Sequence, residues 1–353
     1  MTHAASVRRR LLAIPLLPVI MGRAGAAGKT NALGESMPDK LVQPPRHPYQ
    51  TFLNFPLATD LDKLDAHIAI LGLPYGAPYR MSEVTNDQSN APTAVRVASE
   101  RMCQALDRYD FDLGGPLFAG KAVKAVDCGD VVADPWDMKA HYRNAEAAAK
   151  KILARAGMLI SIGGDHGVPI PIFRALEKHG PITLVHVDAH LDWRDEVNGV
   201  KEGYSNPFRR ASEMKWIEGM VQIGLRAQGS ARPQDVADAK AHGSQIFTAD
   251  DVLEQGMAAV LKRIPDGRRY YLSIDADGVD PSVMPAVMAP SPGGLLHHHM
   301  RALIHGLVKK GRVVGMDIVE IAPMYDHNDL TSIACGRYIM NLIGTAVRAG
   351  YFE

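Results

Sequence analysis

The chain carries no excess of charge. Its 353 residues hold 39 Lys+Arg and 39 Asp+Glu, so the formal net charge is zero. That balance gives no electrostatic footprint for nucleic acid, whose binders cluster cations on one face. Cysteine is scarce: Cys103, Cys128 and Cys335 are odd in number and far apart, and no CxxC occurs. Free buried thiols in a reducing compartment are the expectation, not a disulfide framework. Internal repeats and low-complexity tracts are absent, and no composition break marks a linker. The chain therefore reads as one domain, and a hydrophobic content of 46% fits a soluble globular protein.

The one apolar run near the N-terminus, Leu11–Met21, is too short to span a bilayer. Arg8-Arg9-Arg10 precedes it and Ala24-Gly25-Ala26-Ala27 follows, the layout of a secretory signal of twin-arginine type. A reading frame extended upstream of a true start at Met37 accounts for the same pattern. The first account makes the mature protein periplasmic and the second makes it cytoplasmic, which is the reading adopted. Residues 1–36 are set aside on either account, and residues 37–65 read as an irregular lead-in.

Beyond Ala66, apolar strands alternate with helices. Strand candidates are Ile68–Leu73, Ala122–Cys128, Met158–Ile162, Ile182–Val187, Val221–Leu225, Tyr270–Ile274 and Val313–Ile318. Their near-continuous hydrophobicity predicts a parallel sheet covered on both faces. Helix candidates are Met138–Ala156, Pro169–His179, Gln234–His242, Asp251–Arg263, His298–Lys310 and Leu330–Ala349, with Gly157, Gly180 and Gly311 as C-caps.

Three short segments close three of these strands: Gly163-Gly164-Asp165-His166, Asp188-Ala189-His190-Leu191-Asp192 and Asp275-Ala276-Asp277. Residues two apart in a strand share a face, so Asp188, His190 and Asp192 can address one crevice, as can Asp275 and Asp277. Ligands of open parallel sheets bind beyond the carboxyl ends of the strands. Buried carboxylates are costly unless paired or bound to a cation. His166, Asp188, His190, Asp192, Asp275 and Asp277 are therefore candidate metal ligands. An oxygen-rich set with two imidazoles and no thiolate favours Mn²⁺ over structural zinc. Four carboxylates suit two ions sharing bridging oxygens, on the order of 3.5 Å apart. Asp165 reads instead as an N-cap or as a partner of His166.

With their order and spacing, Gly-Gly-Asp-His, Asp-Ala-His-x-Asp and Ser273-Ile274-Asp275-Ala276-Asp277-Gly278-Val279-Asp280-Pro281 resemble the signature blocks of the ureohydrolases, the family of arginase, agmatinase and guanidinobutyrase. The resemblance runs from about Ala66 to the C-terminus and includes Val126-Asp127-Cys128-Gly129-Asp130 and Pro292-Gly293-Gly294. It implies a three-layer α/β/α domain (66–353) with an eight-stranded, mostly parallel sheet, in the style of the agmatinase-like branch. It implies one ion held by His166, Asp188, Asp192 and Asp275, and a second by His190, Asp188, Asp275 and Asp277. Asp188 and Asp275 would bridge, and Asp192 would orient a bridging hydroxide that attacks the guanidinium carbon, giving urea and an amine. Met316-Asp317-Ile318-Val319-Glu320-Ile321-Ala322-Pro323 resembles the segment whose Glu pairs with the guanidinium, so Glu320 is the candidate for that role. The same resemblance implies Mn²⁺ or Ni²⁺, a small cationic guanidino substrate, and a homo-oligomer such as a trimer or hexamer, without nucleic acid or membrane as partner of the mature protein.

Three departures bear on substrate. Where relatives carry a His-Gly pair whose His shuttles a proton to the leaving amine, this chain has Tyr204-Ser205. Tyr204 either takes part in proton delivery or packs on the substrate. The loop Trp193–Gly203 is acidic, through Asp195, Glu196 and Glu202, and either attracts a cation or is simply solvated. Neither it nor Tyr79–Ala91 resembles the arginase elements that grip an α-amino acid. Met284-Pro285-Ala286-Val287-Met288-Ala289-Pro290 replaces a Gly/Thr-rich turn with bulkier apolar groups. Together these point away from arginine and toward agmatine, 4-guanidinobutyrate, guanidine or an alkylated guanidine or biguanide. A silent or regulatory subunit of a hetero-oligomer and a deacetylase-type amidohydrolase are the alternative readings. His297-His298-His299 is not read as a metal site, because consecutive helical residues point in different directions.

Overall fold

The computed structural model describes residues 40–45, 50–75, 79–80, 83, 86–133 and 137–353. The signal-like segment lies outside the described residues. In chain order the elements are β1 (Val42–Gln43), β2 (Ala66–Leu73), α1 (Ala91–Cys103), β3 (Ala125–Val131), α2 (Met138–Leu153), β4 (Ala156–Gly163), α3 (Pro169–Ala175), β5 (Ile182–Val187) and α4 (Pro207–Ala211). Then come β6 (Ile217–Leu225), α5 (Pro233–His242), β7 (Gln245–Thr248), α6 (Ala249–Gln255), α7 (Met257–Arg263), β8 (Arg269–Asp275), α8 (His297–Lys310), β9 (Arg312–Val319) and α9 (Leu330–Arg348). They build one nine-stranded sheet in the order β1-β3-β2-β4-β9-β8-β5-β6-β7. Eight strands are parallel, and the two-residue β1 adds an antiparallel edge on β3.

Alternation along the strands divides the core into two layers. Ile68, Ile70, Ile160, Val185, Leu272 and Ile318 pack with α1, α8 and α9. Ala69, Leu71, Leu159, Leu184 and Tyr271 pack with α2, α3 and Phe208 of α4. This is the three-layer α/β/α arrangement. Residues 50–65 have only short 3-10 turns, yet Phe52 and Leu53 are buried in the first layer.

Several local expectations change. β3 lies three residues further on than its apolar run suggests. Its end carries Asp127 and Asp130, and these are buried because Arg96 of α1 donates to both. Helix Asp251–Arg263 is broken at Gly256, where φ is +76°. Gly157 caps nothing: it lies inside β4, where a Cβ would sit 3.2 Å from the His67 carbonyl oxygen. Gly180 and Gly311 do close helical segments, but neither is left-handed. Gly243, after α5 with φ +94°, holds the left-handed cap. The helix α1 and the four-residue β7 were not expected. Among the described residues no helix is long and apolar enough to cross a membrane.

Candidate metal centre and substrate cavity

The four strands at the middle of the sheet, β4, β9, β8 and β5, are neighbours. Their carboxyl ends deliver His166, Glu320, Asp275 with Asp277, and Asp188 with His190 and Asp192. The six expected ligands are thus brought together from three of these strands. His166 is placed by a tight turn. A Cβ on Gly164 would lie 1.2 Å from the Tyr75 carbonyl oxygen, so only glycine lets the chain pass there. The Asp165 N–H donates to that same carbonyl (2.8 Å), and the Asp165 Oδ1 accepts from the Gly167 N–H (3.0 Å), which makes Asp165 part of the turn.

The tautomer of His166 follows from its surroundings. Ser273 Oγ donates its one proton to Asp317 Oδ1 (2.7 Å), so it accepts from His166 Nε2–H (3.2 Å). The Nδ1 of neutral His166 then bears a lone pair. That atom is buried without a hydrogen-bond partner and faces Asp188 Oδ2 at 3.1 Å, Asp192 Oδ2 at 3.0 Å and Asp275 Oδ2 at 3.0 Å. Four atoms with lone pairs converging on one point repel unless a proton or a metal ion lies between them. A second focus joins His190 Nδ1 to Asp277 Oδ2 (3.1 Å) and Asp188 Oδ1 (3.5 Å). The donor set fits two divalent ions that share Asp188. Asp317 is the buried anchor behind Ser273.

Without ions the cluster holds protons. Burial and the neighbouring Asp188 push the Asp192 carboxyl up to about 7, and burial with Asp277 and Asp188 raises Asp275 well above the carboxylate range. Burial opposes the imidazolium forms of His166 and His190, but the surrounding carboxylates outweigh it. His166 is held well above its ordinary range and His190 at about 10.

His186 was missed. It is fully buried in β5 and its Nε2 lies 2.8 Å from Asp188 Oδ2. Gln222 Nε2 faces both His186 Nδ1 (3.1 Å) and the Leu191 carbonyl (2.8 Å), which only accepts, so the amide nitrogen donates to each. Nε2–H of His186 therefore donates to Asp188. Phe208 stacks on the ring at 3.7 Å, and burial lowers the His186 pKa to about 4, keeping it neutral. The signal was present: residue 186 is two before Asp188, on the same strand face.

Beside the centre opens a cavity of about 460 Å³ lined by His190, Asp192, Asp275 and Asp277, by Glu320, Gln88, Tyr204 and Ser205, and by Met288 and Ala289. Glu320 is 9% exposed. Its Oε1 accepts from the His166 N–H (2.8 Å) and its Oε2 from Gln88 Nε2 (3.0 Å), a partner that nothing in the sequence pattern marked. Burial raises its pKa. Met288 and Ala289 come from the apolar 284–290 segment and form a wall of the cavity. The acidic loop does not reach it: Asp195 pairs with Arg210, and Glu202 with Arg174. The three consecutive histidines do not all separate: the ring centroids of His298 and His299 lie 4.0 Å apart, while His297 points elsewhere. His297 stacks on Tyr338, and His299 Nδ1 accepts from the Leu296 N–H.

A profile of the arginase family matches residues 66–344. The chain belongs to that family. It is 32% identical to proclavaminate amidinohydrolase of Streptomyces clavuligerus over 303 residues, covering 84% of this chain and 92% of that protein. The solved structure of that enzyme superposes with a TM-score of 0.75 at 30% identity, over 85% of this chain and 97% of the other. Agmatinase of Serratia proteamaculans is 33% identical over 80% of this chain and 88% of its own length. Guanidinobutyrase of Pseudomonas aeruginosa is 31% identical over 78% and 84%. This arginase-family chain is an agmatinase-like hydrolase acting on C–N bonds of linear amidines.

Proposed function

We propose that this enzyme hydrolyses a small cationic guanidino compound to urea and an amine at a centre of two divalent ions, Mn²⁺ foremost and Ni²⁺ next. The observation that carries the reading is the buried, unpartnered Nδ1 of His166 facing three carboxylates, with a fourth buried carboxylate, Glu320, in the adjoining cavity. His166, Asp188, Asp192 and Asp275 would hold one ion, and His190, Asp188, Asp275 and Asp277 the other. Bound there, the ions supply Lewis acidity and a nucleophile from water near neutral pH.

The chain's own residues do the rest. Each oxygen of Glu320 already accepts one bond from the protein and keeps a lone pair for the cavity. A guanidinium N–H pair can then be held by two charge-assisted bonds. Asp192, whose carboxylate lines the cavity beside Asp275 and Asp277, is placed to accept a hydrogen bond from the attacking water. Tyr204 is a poor proton shuttle, because burial and then Glu83 push its phenol further up from a value already near 10.

The test is urea release from protein reconstituted separately with Mn²⁺, Ni²⁺ and Zn²⁺. The panel is arginine, agmatine, 4-guanidinobutyrate, 3-guanidinopropionate, guanidine and biguanides, with bound metal counted per chain. Two ions and urea from a guanidine other than arginine are expected. Arginine as the best substrate overturns the reading of the loops. Fewer than about one ion with no urea favours the silent subunit.

A further inference from the structure

The cavity has a carboxylate that neither the metal cluster nor the guanidinium pocket uses. Among its described lining residues there is no lysine or arginine, and Glu83 joins the other acids there. Glu83 Oε2 accepts from the Tyr204 hydroxyl (3.2 Å) and from the Tyr79 N–H (2.8 Å). The Tyr204 ring packs on the Tyr79 ring, with centroids 4.2 Å apart. Tyr79 is itself pinned: its hydroxyl donates to Asn206 Oδ1 (3.0 Å) and accepts from the Ser205 N–H (2.9 Å). The corner is thus an aromatic pair and a carboxylate, fixed to the Tyr204-Ser205-Asn206 segment. Arg80 Nε lies 3.3 Å from Glu83 Oε1, but its side chain is 72% exposed and does not line the cavity. Exposed pairs of this kind contribute little.

We propose that Glu83 and Tyr204 form the tail subsite of the cavity and select guanidino compounds with a cation at the far end over those ending in a carboxylate. The proposal rests on the guanidino-hydrolase reading above. An ammonium or second guanidinium between a carboxylate and an aromatic face gains a charge-assisted hydrogen bond and a cation–π contact. A carboxylate tail would instead stand beside Glu83 with no cation among the described lining residues to offset it, and like charges so juxtaposed are disfavoured. The tyrosine hydroxyl donates to Glu83 and holds the carboxylate in place. Negative charge is therefore supplied at Glu83, not by the acidic loop, whose Asp195 and Glu202 are paired elsewhere.

Three substrates of matched length separate the possibilities: agmatine (cationic tail), butylguanidine (neutral) and 4-guanidinobutyrate (anionic). With metal-loaded protein, kcat/KM should fall in that order, with agmatine at least about tenfold above 4-guanidinobutyrate. Glu83→Gln should cut the agmatine-to-butylguanidine ratio about tenfold, chiefly through KM, and Tyr204→Phe should move the same ratio less. A preference for 4-guanidinobutyrate over butylguanidine, or a ratio untouched by Glu83→Gln, overturns the proposal. Calorimetric binding of 1,4-diaminobutane and 4-aminobutyrate to the same proteins gives a readout independent of turnover. If no guanidine yields urea but the diamine still binds at least tenfold more tightly and Glu83→Gln removes the difference, the tail subsite stands and the reaction assignment falls. If guanidines are turned over but neither turnover nor binding discriminates, the tail subsite falls and the reaction assignment stands; if no guanidine yields urea and binding does not discriminate, both fall.

Discussion

Replacing Glu320 by Gln tests the substrate pocket with little change of shape. The Gln oxygen can stay on the His166 N–H, leaving its NH₂ toward Gln88. Gln88 can turn to meet it, because its Oε1 is buried without a partner and becomes the acceptor. Stability should not suffer. Burial raises the Glu320 pKa, so the folded state favours the protonated carboxyl. The stability this group contributes is present below its unfolded pKa and is lost as pH rises through the folded one. Near pH 7 the ionised side chain is therefore a burden that Gln removes. Function should suffer heavily. The guanidinium loses two hydrogen bonds to a charged acceptor, each about 1.5–3 kcal/mol, and the second amide N–H points donor to donor at the substrate. A loss of at least about 3 kcal/mol corresponds to a roughly hundredfold or greater fall in kcat/KM. The assay is urea release with metal per chain measured on the same sample, and thermal unfolding alongside. A variant with full metal and kcat/KM within about threefold of the parent would refute the assignment of Glu320 and the hydrogen-bond reasoning behind it.

Gly164→Ala should be the most damaging added methyl among the described glycines: a Cβ 1.2 Å from a backbone oxygen forces the His166 turn open, and a loss above about 4 kcal/mol is expected in thermal or denaturant unfolding. His186→Ala removes the donor that fixes Asp188, so metal affinity measured by titration should weaken by about 10–100-fold; unchanged affinity would reduce His186 to packing. Metal uptake should release protons, because Asp192 at about 7 and His190 at about 10 hold them in the metal-free site. Apparent affinity should therefore weaken by at least about tenfold per pH unit as pH falls through 7, and a pH-independent affinity would contradict the proton-holding cluster.

The parallel sheet was legible because its strands are apolar on both faces, and the convergence of four aspartates and two histidines because carboxylates placed at the ends of such strands have few other uses. What escaped the sequence did so for identifiable reasons. β3 was misplaced because its buried end carries Asp127 and Asp130, and only Arg96, some thirty residues earlier on α1, makes that burial tolerable. β7 is too short to show a period. Gln88 and Glu83 precede α1 in sequence and reach the cavity only through tertiary packing, so no local spacing announces them. The acidic loop Trp193–Gly203 left two readings open, attraction of a cation or simple solvation. Its charges were conspicuous in the sequence, and the fold pairs Asp195 and Glu202 with cations away from the cavity.

The backbone at two of the candidate site carboxylates explains how they are aimed. Asp192 has φ +50° and Glu320 has φ +62°, both left-handed and neither glycine. Such residues cost on the order of 1–3 kcal/mol each and persist where the surrounding structure over-determines them. Leu53, Ala119 and Ala227 share this backbone region, so the strain by itself assigns no role to a side chain. A left-handed residue also breaks the two-residue alternation of a strand. At residue 320 it turns the chain just past β9, with the Glu320 N–H on the Gly164 carbonyl at 2.8 Å and the carboxylate accepting from the His166 N–H. The turn that aims Glu320 into the cavity is thereby tied to the turn that presents His166 to the metal cluster. A change that relaxes either one loosens the cavity at Glu320 and the His166 cluster together, a coupling that the proposed reaction would need.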